Sequence, residues 1–268
     1  MKERSLKDLF HRVSRLLPED QELVVVPPDT PARDALDIMR EHNFTQVPIV
    51  QGSEVLGVFS YRSFSEGVLQ LASNERDPAG LPVEVFSEKL MFASVTDELA
   101  NLLDELDLKE VVLVGSEDRL QGIVTAVDTL RYFYRIASPF VMLGEIELSI
   151  RELIRASVTD QDLRACVDKC LTHYAEEKRP RAIEEMCLAD YITILTWREL
   201  WPTFRDAFGG AYTVARAKLG PLPKLRNDVF HFKRELLVEE YDSLRDCRDW
   251  LLTRIRKADA TRRGTQHE

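Results

Sequence analysis

The sequence predicts an α+β protein, a tandem β-α-β-β-α repeat followed by an all-α helical bundle. Three observations predict it. Short apolar runs in the first half occur twice in the same order. From Pro139 onward the apolar spacing changes from strand-like to helical. Charge divides at the same place: residues 1–138 carry 24 acids and 14 bases, residues 139–268 carry 22 of each, and the net charge of −10 belongs to the first part. A chain of 268 residues is long enough for two domains with separate cores. The expected boundaries are 1–138 for the repeat pair (copies at about 5–70 and 82–138), 139–257 for the helical domain and 258–268 for a disordered tail.

The first copy opens on Val24-Val25-Val26, read as a strand. Thr30-Pro31 then reads as a helix start, with the hydroxyl as cap and proline at the first helical position, ahead of an amphipathic segment to Glu41. Val47–Val50 and Val55–Phe59 are two strands joined by the polar turn Gln51-Gly52-Ser53. Residues Ser73–Gly80 read as a loop between copies. The second copy repeats the order with Met91-Phe92-Ala93, a helix to Leu106, Val111–Val114 and Leu120–Val124. Ala35 to Val47 and Leu99 to Val111 both span 12 residues, which sets the copies 64 apart with one extra residue before the second glycine.

In the second half, Phe140, Leu143, Ile146, Ile150, Leu153 and Ile154 form one helical stripe, and Leu163, Val167, Cys170, Leu171 and Tyr174 a second. Ile192 to Phe208 holds a third, with Pro202 kinking or restarting the helix. Leu225, Val229, Phe232, Leu236, Leu244, Cys247 and Leu251 describe a fourth, long helix after the break Gly220-Pro221-Leu222-Pro223. Four helices with short turns suggest a bundle.

Several function classes lack support in the residues. The N-terminus is charged and amphipathic rather than a signal peptide, and no run approaches the ~20 apolar residues that span a bilayer, so a cytoplasmic location without membrane contact is expected. Walker, Rossmann, Ser-His-Asp and zinc-finger patterns are absent. Cys166 and Cys170 share a helical face near His173, an arrangement open to a metal site or to plain core packing; packing is preferred, and no metal is expected.

The end of the second copy reads Gly122-Ile123-Val124-Thr125-Ala126-Val127-Asp128. This heptad after a tandem strand–helix repeat resembles the CBS domain pair, over roughly residues 5–138. The resemblance implies an adenine-nucleotide ligand (AMP, ADP, ATP or an S-adenosyl compound), with Thr125 at phosphate or ribose and Asp128 on the ribose hydroxyls. The chemistry suits these residues, because a carboxylate accepts two O–H bonds and a helix start presents N–H groups to phosphate. Thr followed three residues later by Asp is also a capping box that needs no ligand, and the two roles can coexist. The first copy departs from the pattern: Ser60 keeps the hydroxyl, but Ser63 stands where the acid belongs. One competent pocket at Thr125 and Asp128 is expected, with Ser60 and Arg62 at a degraded second one.

Arg226-Asn227-Asp228-Val229-Phe230-His231 resembles the Arg-polar-x-x-x-His signature of HEPN domains, supported by Glu147 and Arg151, the Ala189–Ile192 segment, Trp201–Phe208 and the motif's place at the head of the last helix. The resemblance implies a metal-independent endoribonuclease. His231 is the general acid or base, Arg226 stabilises phosphate charge, and Asn227 orients the imidazole, with Tyr174 and Glu147 as accessories. Residues 213–234 hold six bases against Asp228 alone, a local +5 that would attract RNA or lie as a solvated face balanced by acids nearby. The alternative is a helical domain that assembles or binds RNA without cutting, with Arg226 bonded to a carboxylate such as Glu147. Both resemblances imply a homodimer.

Overall fold

A computed structural model describes residues 12–17, 23–71 and 77–264. The chain divides into two compact units, 1–134 and 135–268. Most of the first copy's N-terminal segment and part of the Ser73–Gly80 loop lie outside the described residues.

In the first unit the elements are α1 (Ala32–His42), β1 (Gln46–Gln51), β2 (Glu54–Ser60) and α2 (Tyr61–Gln70), then β3 (Phe92–Ala93), α3 (Leu103–Lys109), β4 (Val111–Ser116), β5 (Arg119–Thr125) and the start of α4 (Ala126–Ser157). β1 and β2 form an antiparallel pair; β3 lies parallel to β4, which pairs antiparallel with β5. The Val24–Val26 strand shrinks to one parallel bridge between Val26 and Ile49, because Pro27 and Pro28 follow and bring no N–H to a ladder. The head of α1 is also built differently from expectation. Pro31 is the N-cap and no side chain caps it; the Ala32 N–H is satisfied instead by the Leu81 carbonyl at 2.8 Å, from the segment that leads into the second copy.

The strands fix the internal register. Gln46 pairs with Ser60 as Val111 pairs with Thr125, and the bulges fall at Ile49/Val50 and Val114/Gly115, so strand equivalents stand 65 residues apart rather than 64. In the helices, buried Ala32, Ala35 and Met39 match buried Leu99, Leu102 and Leu106 at an offset of 67. Equating Ala35 with Leu99 is therefore one helical turn out, an ambiguity inherent to a period of 3.6. The difference lies in the connection. Asn43 (φ 56) ends α1 three residues before Gln46, whereas Glu110 (φ 65) ends α3 directly before Val111.

Val26, Met39, Val47, Ile49, Phe59 and Phe86 form the first copy's core, with the Phe64 and Phe86 rings 4.9 Å apart. Val55, Val58 and Leu113 pack the copies together.

The second unit is mostly helical, with α5 (Asp160–Cys170), α6 (Leu188–Thr196), α7 (Trp201–Phe204), α8 (Tyr212–Leu219), α9 (Leu222–Phe230) and α10 (Val238–Gly264) after the C-terminal part of α4. Leu143, Ile146, Ile150, Leu153 and Ile154 are buried as the stripe requires, and Pro202 sits in the first turn of α7, restarting the helix. The long fourth helix does not form. α9 stops at Phe230, Phe232 takes φ 50, and Lys233 N–H reaches back to the Asp228 carbonyl at 3.0 Å, a left-handed helix end on a non-glycine residue. Helix resumes at Val238 and continues through residues 258–264, where the sequence has no apolar stripe.

Candidate functional site

Each copy ends by feeding its hairpin's second strand into a helix, and both junctions are closed by a capping box. At the head of α4, Thr125 N–H donates to Asp128 Oδ2 at 3.0 Å and Asp128 N–H to Thr125 Oγ1 at 3.2 Å. The Thr125 hydroxyl also donates to Oδ2, at 2.6 Å. All the bonds Asp128 accepts among the described residues therefore fall on Oδ2, and both side chains are half-exposed. At the head of α2, Ser60 N–H donates to Ser63 Oγ and Ser63 N–H to Ser60 Oγ, both at 2.9 Å. Serine thus completes the cap that aspartate completes in the other copy, without the carboxylate.

The Ser60 hydroxyl is buried and donates to Glu88 Oε1 at 3.3 Å, while Lys109 holds Glu88 Oε2 at 2.9 Å. Arg62 is exposed; its Nε pairs with Glu66 at 3.0 Å and its Nη1 donates to the Leu108 carbonyl at 2.7 Å. Its guanidinium pKa is raised, chiefly by the Glu66 bond. Ser60 and Arg62 therefore lie at one junction as expected, but both are engaged by protein groups. The sequence reading missed Glu88 and Lys109. The signal available was Gly57, where the linker crosses β2.

In the second unit, Arg226 and Asn227 lie in the last turns of α9 and His231 is the residue that ends it, so the motif closes a short helix instead of opening the last one. Arg226 stacks over the Phe230 ring at 4.6 Å. Glu147 pairs with Arg151, not with Arg226. Asn227 is exposed and accepts the His231 N–H at its carbonyl at 3.2 Å; among the described residues its side chain makes no bond to the imidazole. His231 is exposed and makes no side-chain hydrogen bond among the described residues. Tyr174 donates to buried Asp190 at 3.3 Å, and burial followed by that carboxylate pushes its phenol pKa up.

Asp228 is buried and neutralised rather than facing RNA: Arg234 holds it at 2.9 Å and also clamps Glu240 through two 2.6 Å bonds. Arg234 lowers the Glu240 pKa to about 2, and the same carboxylate accepts the Leu237 N–H at the head of α10. Two of the six bases in 213–234, Lys233 and Arg234, thus face Asp228. Cys166 and Cys170 are buried, the Cys170 thiol donates to the Cys166 carbonyl at 3.0 Å, and burial pushes its pKa up to about 12. Among the described residues no group of three or more His, Cys, Asp or Glu side chains is placed to hold a metal ion, and no helix is long and apolar enough to cross a membrane.

Residues 7–69 match the family model of the CBS domain. Among curated relatives, the A-adding tRNA nucleotidyltransferase of Geobacter sulfurreducens is 24% identical over 170 residues, 56% of this chain and 19% of that enzyme. The chain thus spans about a fifth of that relative's length. Among solved structures, the CBS-domain-containing protein ATU1752 from Agrobacterium tumefaciens is 20% identical, with 46% of this chain and 98% of that one covered at a TM-score of 0.41. CBSX2 in complex with AMP is 21% identical, with 47% and 98% covered at a TM-score of 0.40. Residues 7–69 carry a CBS domain.

Proposed function

We propose that the first unit is a CBS pair that binds an adenine nucleotide at the head of α4, and that occupancy regulates the helical unit. The reading is supported by the CBS domain at 7–69 and by the second copy's repetition of its strand register. The observation that carries it is Asp128, which caps α4 through one carboxylate oxygen, so that Oδ1 remains for ribose hydroxyls. The α4 N-terminus offers its positive dipole end to phosphate. Regulation requires that the ligand bind one arrangement of the protein better than another. Calorimetric titration of AMP, ADP, ATP and S-adenosylmethionine into wild type and Asp128→Ser tests the site. Binding that needs the carboxylate is expected; binding indifferent to it sinks the assignment.

A homodimer belongs to the same proposal. Each unit leaves apolar side chains of α4 exposed: Val127, Leu130 and Tyr134 in the first, Val141 and Leu148 in the second. Sedimentation equilibrium at micromolar concentration should give twice the 30.8 kDa chain mass, and a monomer would remove the dimer.

A second reading assigns metal-independent RNA cleavage to Arg226, Asn227 and His231. It is favoured by the exposed imidazole lying one residue from Phe230, over which Arg226 is held. Labelled single-stranded RNA with EDTA decides it. Cleavage by wild type and not by His231→Ala supports a nuclease; its absence in both leaves RNA binding without cleavage, or assembly, as the helical unit's role.

A further inference from the structure

We propose that Glu88 is a gate built into the first copy, its carboxylate filling the place at the head of α2 that an external phosphate would take. This rests on the nucleotide reading only in the equivalence of the two junctions. The backbone places the gate. Val58 and Glu88 exchange hydrogen bonds in both directions, at 2.9 and 3.0 Å, fixing Glu88 against β2 two residues before Ser60. This crossing needs Gly57: a Cβ there would lie 2.2 Å from Ser87 Oγ and 2.7 Å from the Glu88 carbonyl oxygen.

The side chain then meets a donor set suited to phosphate oxygens. The Ser60 hydroxyl gives one bond and the Lys109 ammonium another, one to each carboxylate oxygen. Arg62, two residues into the copy's terminal helix, carries a further positive charge, and Glu88 helps to raise its pKa. The Glu88 and Lys109 side chains are only 20% and 26% exposed, so solvent screens this pair less than an exposed one. At the matching junction, 65 residues on, the Thr125 hydroxyl turns inward to Asp128, and among the described residues no side chain from another segment bonds it. The copies share a backbone and differ in what sits at the cap.

An anion entering the first copy must displace Glu88 from both Ser60 and Lys109, so its apparent affinity falls by the fraction of chains with the gate open. The test uses the full chain and inorganic pyrophosphate, which has no ribose for Asp128 to hold. Glu88→Gln keeps an acceptor for the Ser60 hydroxyl while removing the charge; it is expected to tighten pyrophosphate binding about tenfold or more by calorimetry at fixed ionic strength. Adding Lys109→Met to Glu88→Gln should abolish that gain, and Asp128→Ser should leave it intact. Unchanged pyrophosphate affinity in a cooperatively melting Glu88→Gln, or a gain that persists without Lys109, would overturn the gate. Glu88→Ala, read in the same titration, covers failure of the first variant to fold. Nucleotide that binds neither wild type nor any variant would defeat the Asp128 site alone, because the pyrophosphate comparison still decides on Glu88.

Discussion

Asp128→Ser separates ligand chemistry from helix capping. The first copy provides the internal control, because Ser63 makes both reciprocal cap bonds at 2.9 Å with no carboxylate. Serine at 128 is therefore expected to keep the α4 cap and to lose only the favourable charge at a helix N-terminus, about 0.3–1 kcal/mol. Asp128→Ala additionally orphans the Thr125 N–H, while the Thr125 hydroxyl still accepts the backbone N–H of residue 128, and the unmade bond costs about 1 kcal/mol more. Denaturant unfolding should rank wild type, then Asp128→Ser, then Asp128→Ala. Ligand affinity should not follow that ranking. Hydrogen bonds to a charged acceptor contribute about 1.5–3 kcal/mol, so either substitution weakens AMP binding by about 10- to 150-fold in calorimetry. If Asp128→Ser binds AMP as wild type does, the carboxylate has no ligand role and the cap explains Thr125 and Asp128 completely. If it is as unstable as Asp128→Ala, the serine cap does not transfer between copies and the equivalence of the junctions is wrong.

The clamp between α9 and α10 makes a pH prediction. Glu240 is held at about 2 in the folded chain, below the ordinary 4.5, so it contributes stability above pH 4.5 that disappears as pH falls from there through 2. Its side chain is about a quarter exposed, and the discounted size is about 1–2 kcal/mol. Glu240→Gln should flatten unfolding free energy across that window, and a variant that keeps the wild-type slope would exclude the pair as its cause.

Much of the fold was legible where burial follows a short period. Ile146, Ile150, Leu153 and Ile154 sit in the core as their spacing requires, because helix geometry alone decides which residues share a face. The Thr125–Asp128 junction was legible because both partners lie within one turn. Helix ends were less so. The Leu81 carbonyl that satisfies the head of α1 lies far along the chain, and the stop after α9 depends on Phe232 at φ 50, a residue type that gives no warning of a left-handed turn. The periodic positions on either side of that stop, Val229 and Leu244, are both buried, so continuity of spacing concealed two separate helices. Glu88 was invisible for a similar reason. Its partners stand 28 and 21 residues away, and only Gly57 marked the place where the chain passes close.

The connection from α3 to β4 is two residues shorter than the one from α1 to β1, and the two copies differ at the helix ends before it. Helix equivalents stand 67 apart, so the counterparts of Leu108 and Lys109 in the first copy are Glu41 and His42. One is an exposed acid, and the other stacks its ring on Phe44, a residue of the longer connection, at 5.3 Å. Neither supplies an ammonium beside the Thr125 junction as Lys109 does beside Ser60. The shorter connection thus goes with a basic helix end that reaches Glu88 and, through it, the Ser60 junction. Because serine and aspartate both complete the cap, the two junctions remain alike in shape while they differ in chemistry.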